Sequence, residues 1–156
     1  MNEERIQKAI NFATEIHKGQ YRKDGKEYIT HPIAVSKIVL ENLSSLTSED
    51  YKEILVVSSA YHDAFEDCQD KINFNLLVDF LVSIGYMGLE AHKIATIVQK
   101  LTRVSKSQCI FNYLDGIKES DEAILVKLAD LQHNMSDLAP GNLLDKYKLC
   151  KWYLEN

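Results

Sequence analysis

The chain has 156 residues, 46% hydrophobic and 26% charged, with a formal net charge of −5. That length suits one domain with a core of its own. The charge argues against general nucleic-acid binding, which works by neutralising phosphates, and no apolar run approaches the roughly 18 residues of a membrane span. Ile6, Ala9, Ile10, Ala13 and Ile16 recur at helical spacing and predict a first amphipathic helix, capped by Asn2 with Glu3 and Glu4 in its first turn. Gly19 to Thr30 is polar and reads as a loop; a second helix starts near His31, with Pro32 in its first turn. Thr47, with Asp50 three residues on, predicts the cap of a third helix. Ile54 to Ala60, apolar on all sides, marks that helix as central and buried. Further helical patterns run from Phe74 to near Gly85, over Ile94–Leu101, over Ile110–Ile117, from Ala123 to Leu138 with its first half largely buried, and over Leu143–Leu154. No strand pair, repeat or domain boundary is visible. The expectation is a single all-α domain over residues 1–156, a bundle of about seven to eight helices.

The acidic, amphipathic N-terminus is unlike a signal peptide. Cys68, Cys109 and Cys150 form no CxxC pair, which points to free thiols and a cytoplasmic setting. Chemistry concentrates in Tyr61-His62-Asp63-Ala64-Phe65-Glu66-Asp67, one histidine and three carboxylates at the end of the buried helix. If the helix continues, His62 and Glu66 share one face and Asp63 and Asp67 the next. Adding His31 and Asp130 gives two imidazoles and two carboxylates, a donor set suited to manganese, iron or zinc. Taken one residue at a time, solvated carboxylates and a satisfied core histidine are the commoner explanation of such positions.

Three words occur in a telling order: His17-Lys18-Gly19-Gln20-Tyr21-Arg22-Lys23-Asp24-Gly25-Lys26-Glu27-Tyr28-Ile29-Thr30-His31-Pro32, then His62-Asp63-Ala64-Phe65-Glu66-Asp67, then Val126-Lys127-Leu128-Ala129-Asp130-Leu131-Gln132-His133-Asn134-Met135. With them the chain resembles the HD phosphohydrolase superfamily, and more narrowly the hydrolase domain of the Rel/Spo homologues that remove the 3′-pyrophosphate of ppGpp. The resemblance implies a stand-alone metal-dependent (p)ppGpp 3′-pyrophosphohydrolase of HD-domain fold. It implies that His31, His62, Asp63 and Asp130 bind Mn2+ (Fe2+ or Zn2+ being alternatives), that Glu66 and Asp67 handle water and its proton, and that Arg22, Lys23 and Asn134 hold a guanine nucleotide. Lys26 and Lys127 are further candidate cations, and Thr102, Arg103 and Tyr113 resemble positions near the family's nucleotide. His133 is a candidate outer-sphere group. His17 reads as structural, charged at a helix end; His92 reads as surface, and Tyr147, Trp152 and Tyr153 as packing. Two arginines usual in the family's last word are absent, and Asp137 stands where a small hydroxyl is usual. That departure leaves two alternatives: a hydrolase of another phosphorylated nucleotide or small phosphoester, and a non-catalytic alarmone-binding module.

Overall fold

The computed structural model describes residues 1–156, with α1 at Glu3–Ile16, α2 at Thr30–Asn42, α3 at Glu49–Ala60, α4 at Ala64–Asp67, α5 at Phe74–Ser83, α6 at Gly88–Leu101, α7 at Ile110–Lys118, α8 at Asp121–Met135 and α9 at Asn142–Glu155. α4 is a single turn, so eight helices of nine residues or more build the all-α bundle. There are no strands, only a one-pair bridge between Tyr21 and Glu27 that pinches the loop before α2. Asn2 caps α1 as expected, its side chain accepting from the Arg5 amide at 3.2 Å. At α3 the cap is Ser48 rather than Thr47: its hydroxyl accepts from the Tyr51 amide at 3.3 Å, and the Thr47 amide is used in a turn to Ser44.

Two apolar clusters share α3 and α6 as a common wall. One gathers α1, α3, α5 and α6 around Ala9, Val57, Leu77 and Ile94; the other gathers α2, α3 and α6 to α9 around Val35, Leu55, Ile117 and Val126. Leu55 to Ala60 are all buried, so α3 is the central helix its sequence predicts. α8 is less enclosed than expected, with Ala123, Val126, Ala129 and Asp130 on its buried side. α2 packs against both α3 and α8. His31 at the start of α2, His62 just past α3 and Asp130 within α8 are thereby brought from 99 residues of chain into one place.

The α3 helix does not continue through the His-Asp word. It stops at Ala60, where Tyr61 is fully buried and its hydroxyl donates to the Ala9 carbonyl at 2.6 Å. Burying that ring against α1 turns the backbone, and α4 restarts only at Ala64. His62 and Asp63 therefore sit in a tight turn rather than on adjacent helical faces.

Away from that turn, the buried carboxylate of Glu53 fixes the N-terminus. It accepts from the Asn2 amide at 2.8 Å, from the Tyr86 hydroxyl at 2.8 Å and from Arg5 Nε. Arg5 also stacks on the Tyr86 ring, 4.2 Å from its centroid. Burial alone would raise the Glu53 pKa, but Arg5, the Asn2 amide and Tyr86 hold it below the ordinary 4.5. A carboxylate lowered on folding stabilises above its unfolded pKa and loses that contribution as pH falls through its folded value. Glu53→Ala is expected to cost about 3 kcal/mol, because it takes the main partner from a partly buried guanidinium and leaves the Asn2 amide and the Tyr86 hydroxyl unpaired. In thermal unfolding, the gap between Glu53→Ala and the parent should be full at pH 7 and should shrink below pH 4.5. An unchanged gap under acid would refute the role.

Candidate metal centre

The donor atoms of His31, His62 and Asp130 all lie within 4.8 Å of one another. His31 Nε2 is 3.0 Å from Asp130 Oδ1 and 3.8 Å from Asp63 Oδ2; His62 Nε2 is 2.9 Å from Asp63 Oδ2 and 3.6 Å from Asp130 Oδ1. Both histidines and Asp130 are buried, and Asp63 closes the group from the half-buried side. Burial opposes ionisation of Asp63, yet the charge of His62 outweighs it and holds the carboxyl down at about 2. Burial likewise opposes Asp130, and the Lys127 ammonium overrides it, keeping this carboxylate ionised.

The outer contacts aim the donors. His62 Nδ1 is 2.7 Å from the Ser59 carbonyl, an arrangement that keeps one proton there, so that loss of the other on ion binding would leave Nε2 as the ligand atom. That Nε2 is buried and makes no hydrogen bond within the protein. An orphaned imidazole nitrogen facing two carboxylates has the chemistry of a divalent-cation site. His31 Nδ1 lies 2.7 Å from His133 Nδ1. Burial, followed by the neighbouring His31, lowers the His133 pKa, so a neutral His133 can accept the proton of His31 Nδ1. His133 is thus the outer-sphere partner of a candidate ligand.

Asp130 is held from three sides. Lys127 Nζ meets Oδ2 at 2.8 Å, while Asn134 Nδ2 donates to Oδ1 at 2.6 Å and His31 approaches the same oxygen. Lys127, a candidate ligand cation in the sequence, is therefore spent on Asp130. Asn134 is positioned the same way, and its own Oδ1 accepts from Arg22 Nη2 at 3.3 Å.

Tyr28 had no assigned role in the sequence beyond its place in a matched word. Its hydroxyl donates to Asp63 Oδ2, it also approaches Asp67, and its ring lies between those of His17 and His31. The signal available was its spacing of three from His31. Loss of an outer partner of a metal ligand typically costs about 10- to 100-fold in affinity. Tyr28→Phe is expected to weaken metal binding by that factor with the helical circular dichroism unchanged; undiminished affinity in a calorimetric titration would exclude the role.

A cavity of about 750 Å³ opens beside these donors. His31, Asp63 and Asp130 form part of its wall, as do Tyr28, Glu66 and Asn134. Arg22, Lys23, Arg103 and Lys146 face it as well, and none of the four is ion-paired within the chain. Arg22 reaches Asn134, and Arg103 donates to the Gln108 carbonyl while its buried Nε stays without a partner. Arg103 and Lys146 thus complete the cationic lining begun by Arg22 and Lys23; Lys146 was not expected from the sequence. Lys26 lies outside this wall, 3.7 Å from Asp24. Tyr113 lines the cavity, but its hydroxyl is committed to the Leu101 carbonyl at 2.6 Å; the Thr102 hydroxyl is committed to Val98 at 2.8 Å.

Of the two expected proton-handling carboxylates, Glu66 lines the cavity and Asp67 does not. Glu66 Oε2 accepts from the Arg103 amide at 3.2 Å. Asp67 is exposed at the surface, yet partial desolvation, then the charges of Asp63 and Glu66, push its pKa up to about 6. His17 corrects its expected charge: burial lowers its pKa, and its Nδ1 bonds the Gln20 side chain at 2.8 Å beside Cys68. His92 is exposed as predicted. Trp152 is not packed, being 60% exposed; Tyr147 lines the cavity, and the Tyr153 ring lies tilted against Phe111. The three cysteines are free.

No protein-family model matches the chain. Among curated proteins, a guanosine-3′,5′-bis(diphosphate) 3′-pyrophosphohydrolase of Borreliella burgdorferi is 29% identical over 143 residues, covering 90% of this chain and 20% of its own. The bifunctional (p)ppGpp synthase/hydrolase SpoT of Escherichia coli is 27% identical over 134 residues, covering 86% of this chain and 18% of its own. A solved structure described as a metazoan ortholog of SpoT that hydrolyzes ppGpp superposes with a TM-score of 0.72 at 20% identity, covering 99% of this chain and 85% of that one. The chain shares the fold of that structure and is similar in sequence to these curated alarmone enzymes. It spans about a fifth or less of the length of the curated relatives it matches. Those relatives also include GTP pyrophosphokinases, so the Rel/Spo likeness fixes the architecture, and the activity has to be argued from the site. No helix is long and apolar enough to cross a membrane.

Proposed function

We propose that the domain hydrolyses ppGpp to GDP and pyrophosphate in the presence of a divalent ion, manganese being the best match to a mixed imidazole–carboxylate set. One observation supports it above the rest: two imidazole Nε2 atoms and two carboxylates converge at the wall of a cavity lined by four unpaired cations. Such a cavity favours a polyanion despite the chain's overall negative charge, because local charge governs ligand entry.

His31, His62, Asp63 and Asp130 would hold the ion. Bound there, a divalent cation lowers the pKa of water toward neutrality and polarises a phosphoryl oxygen. Glu66 would take the proton of the attacking water; it lines the cavity, and its Oε2 accepts from the Arg103 amide. Asp67, lifted to about 6, is a second acceptor matched to near-neutral operation. Arg22 and Lys23 bind the nucleotide, and Asn134 keeps Arg22 in register with Asp130.

Asp137 favours a second reading, hydrolysis of a different phosphorylated nucleotide, since it adds a carboxylate to the cavity wall. Incubation of the purified domain with manganese and ppGpp decides. Rapid pyrophosphate release, abolished by a chelator, is the expected result. Bound manganese without release, alongside turnover of another nucleotide, would replace the first reading by the second.

A further inference from the structure

Gln20 belongs to the first matched word, and neither the metal centre nor the cavity wall uses it. Its side chain makes two long-lever contacts. Nε2 donates to the Asp67 carbonyl, 47 residues on, at 3.1 Å, and Oε1 lies 2.8 Å from His17 Nδ1. A carbonyl can only accept, so the amide nitrogen faces Asp67 and the amide oxygen faces His17, which carries a proton on Nδ1. His17 is buried at the end of α1 and holds the amide in that orientation. The Gln20 main chain makes a third tie, its carbonyl accepting from the Tyr28 amide at 2.9 Å.

These ties reach both halves of the proposed machinery. Tyr28 bonds Asp63, and Asp67 closes α4, the single turn that carries Glu66. One turn of helix does not hold itself, and its terminal carbonyls need partners. Ala64 and Phe65 are buried and anchor the start of α4, whereas Glu66 and Asp67 are exposed. The Glu66 carbonyl is bonded by Gln69, itself exposed and only three residues on. The bond from Gln20 to Asp67 is the one hydrogen bond to the α4 backbone that comes from outside residues 61–69.

We propose that Gln20 is a positioning residue: it sets Glu66 against the metal centre by pinning the end of α4 to the loop that carries Tyr28. The proposal rests on the hydrolase reading above, with Glu66 as proton acceptor. Water can satisfy the Asp67 carbonyl in place of Gln20, but water carries no tie to the loop. A misplaced reacting group slows the chemical step far more than it weakens binding.

Gln20→Met keeps the length and removes both side-chain bonds. Gln20→Glu keeps an acceptor for His17 and sets a carboxylate against the Asp67 carbonyl. Turnover is measured on ppGpp, or on whichever nucleotide the manganese-loaded parent cleaves. Both variants should lower kcat about three- to tenfold, with KM and manganese affinity within about twofold, since Tyr28 bonds the unchanged main chain. In a Glu66→Gln background the further loss on Gln20→Met should shrink to within about twofold, because the group being positioned is gone. A merely structural role would keep its full factor there. Amide exchange at Glu66, Asp67 and Cys68, whose N–H groups close α4, should quicken in both variants while α3 and α6 stay protected. Parental kcat in Gln20→Glu, an equal loss in the Glu66→Gln background, or unaltered exchange along α4 would overturn the proposal. Cleavage of another nucleotide and not of ppGpp would remove the ppGpp reading and leave the Gln20 test intact; a parent that cleaves no nucleotide would overturn both.

Discussion

Asp130→Ala is expected to abolish pyrophosphate release at every metal concentration and to weaken metal binding far beyond the roughly 10- to 100-fold that loss of an outer partner costs. Asp130 is the point where most contacts of the centre meet: His31, Lys127 and Asn134 all bond its carboxylate, and His62 Nε2 is 3.6 Å away. Alanine removes a donor and also leaves the Lys127 ammonium without its counter-charge. Breaking a buried pair on one side costs about 3–5 kcal/mol. For a chain of this size that is a fall in Tm of roughly 6–20 °C. Asp130→Asn separates the two effects, since it keeps the volume and an oxygen for Lys127. The asparagine variant should melt closer to the parent and still bind metal poorly and turn nothing over. If Asp130→Asn retains both metal and activity, Asp130 is a structural anchor and the proposed centre is wrong.

The bundle and most of its helices were legible because their signals are local. The three-and-four spacing of Ile6, Ala9, Ala13 and Ile16 and the side-chain cap at Asn2 each act within a turn or two of chain. The end of α3 was not legible, because its cause is distant: Tyr61 turns the backbone by reaching the Ala9 carbonyl, 52 residues away in sequence. The order of the three words picked out four residues that the fold does bring together, but not what else holds them. Lys127 and Asn134 looked available to a ligand and are instead committed to Asp130. Tyr28 carried no role beyond its place in a matched word, and its hydroxyl donates to Asp63. His17 shows the same limit: at a helix end, sequence alone suggests a charged imidazole, whereas burial makes it neutral.

Glu66→Gln should leave metal affinity within about threefold of the parent and lower kcat by roughly two to four orders of magnitude, the usual weight of a general base. The substitution is clean for a structural reason. Glu66 is exposed, so its charge is not needed for folding, and its one bond is as an acceptor from the Arg103 amide. Glutamine can accept that bond through its amide oxygen, so Arg103 stays in place at the cavity. What it cannot do is take a proton. Asp67→Asn removes the second acceptor, and it should lower kcat by less, because Asp67 lies off the cavity wall. The order of the two effects is the discriminating result. A larger loss in Asp67→Asn would make Asp67 the principal proton acceptor, and unimpaired kcat in both variants would leave proton transfer to a group outside this carboxylate pair.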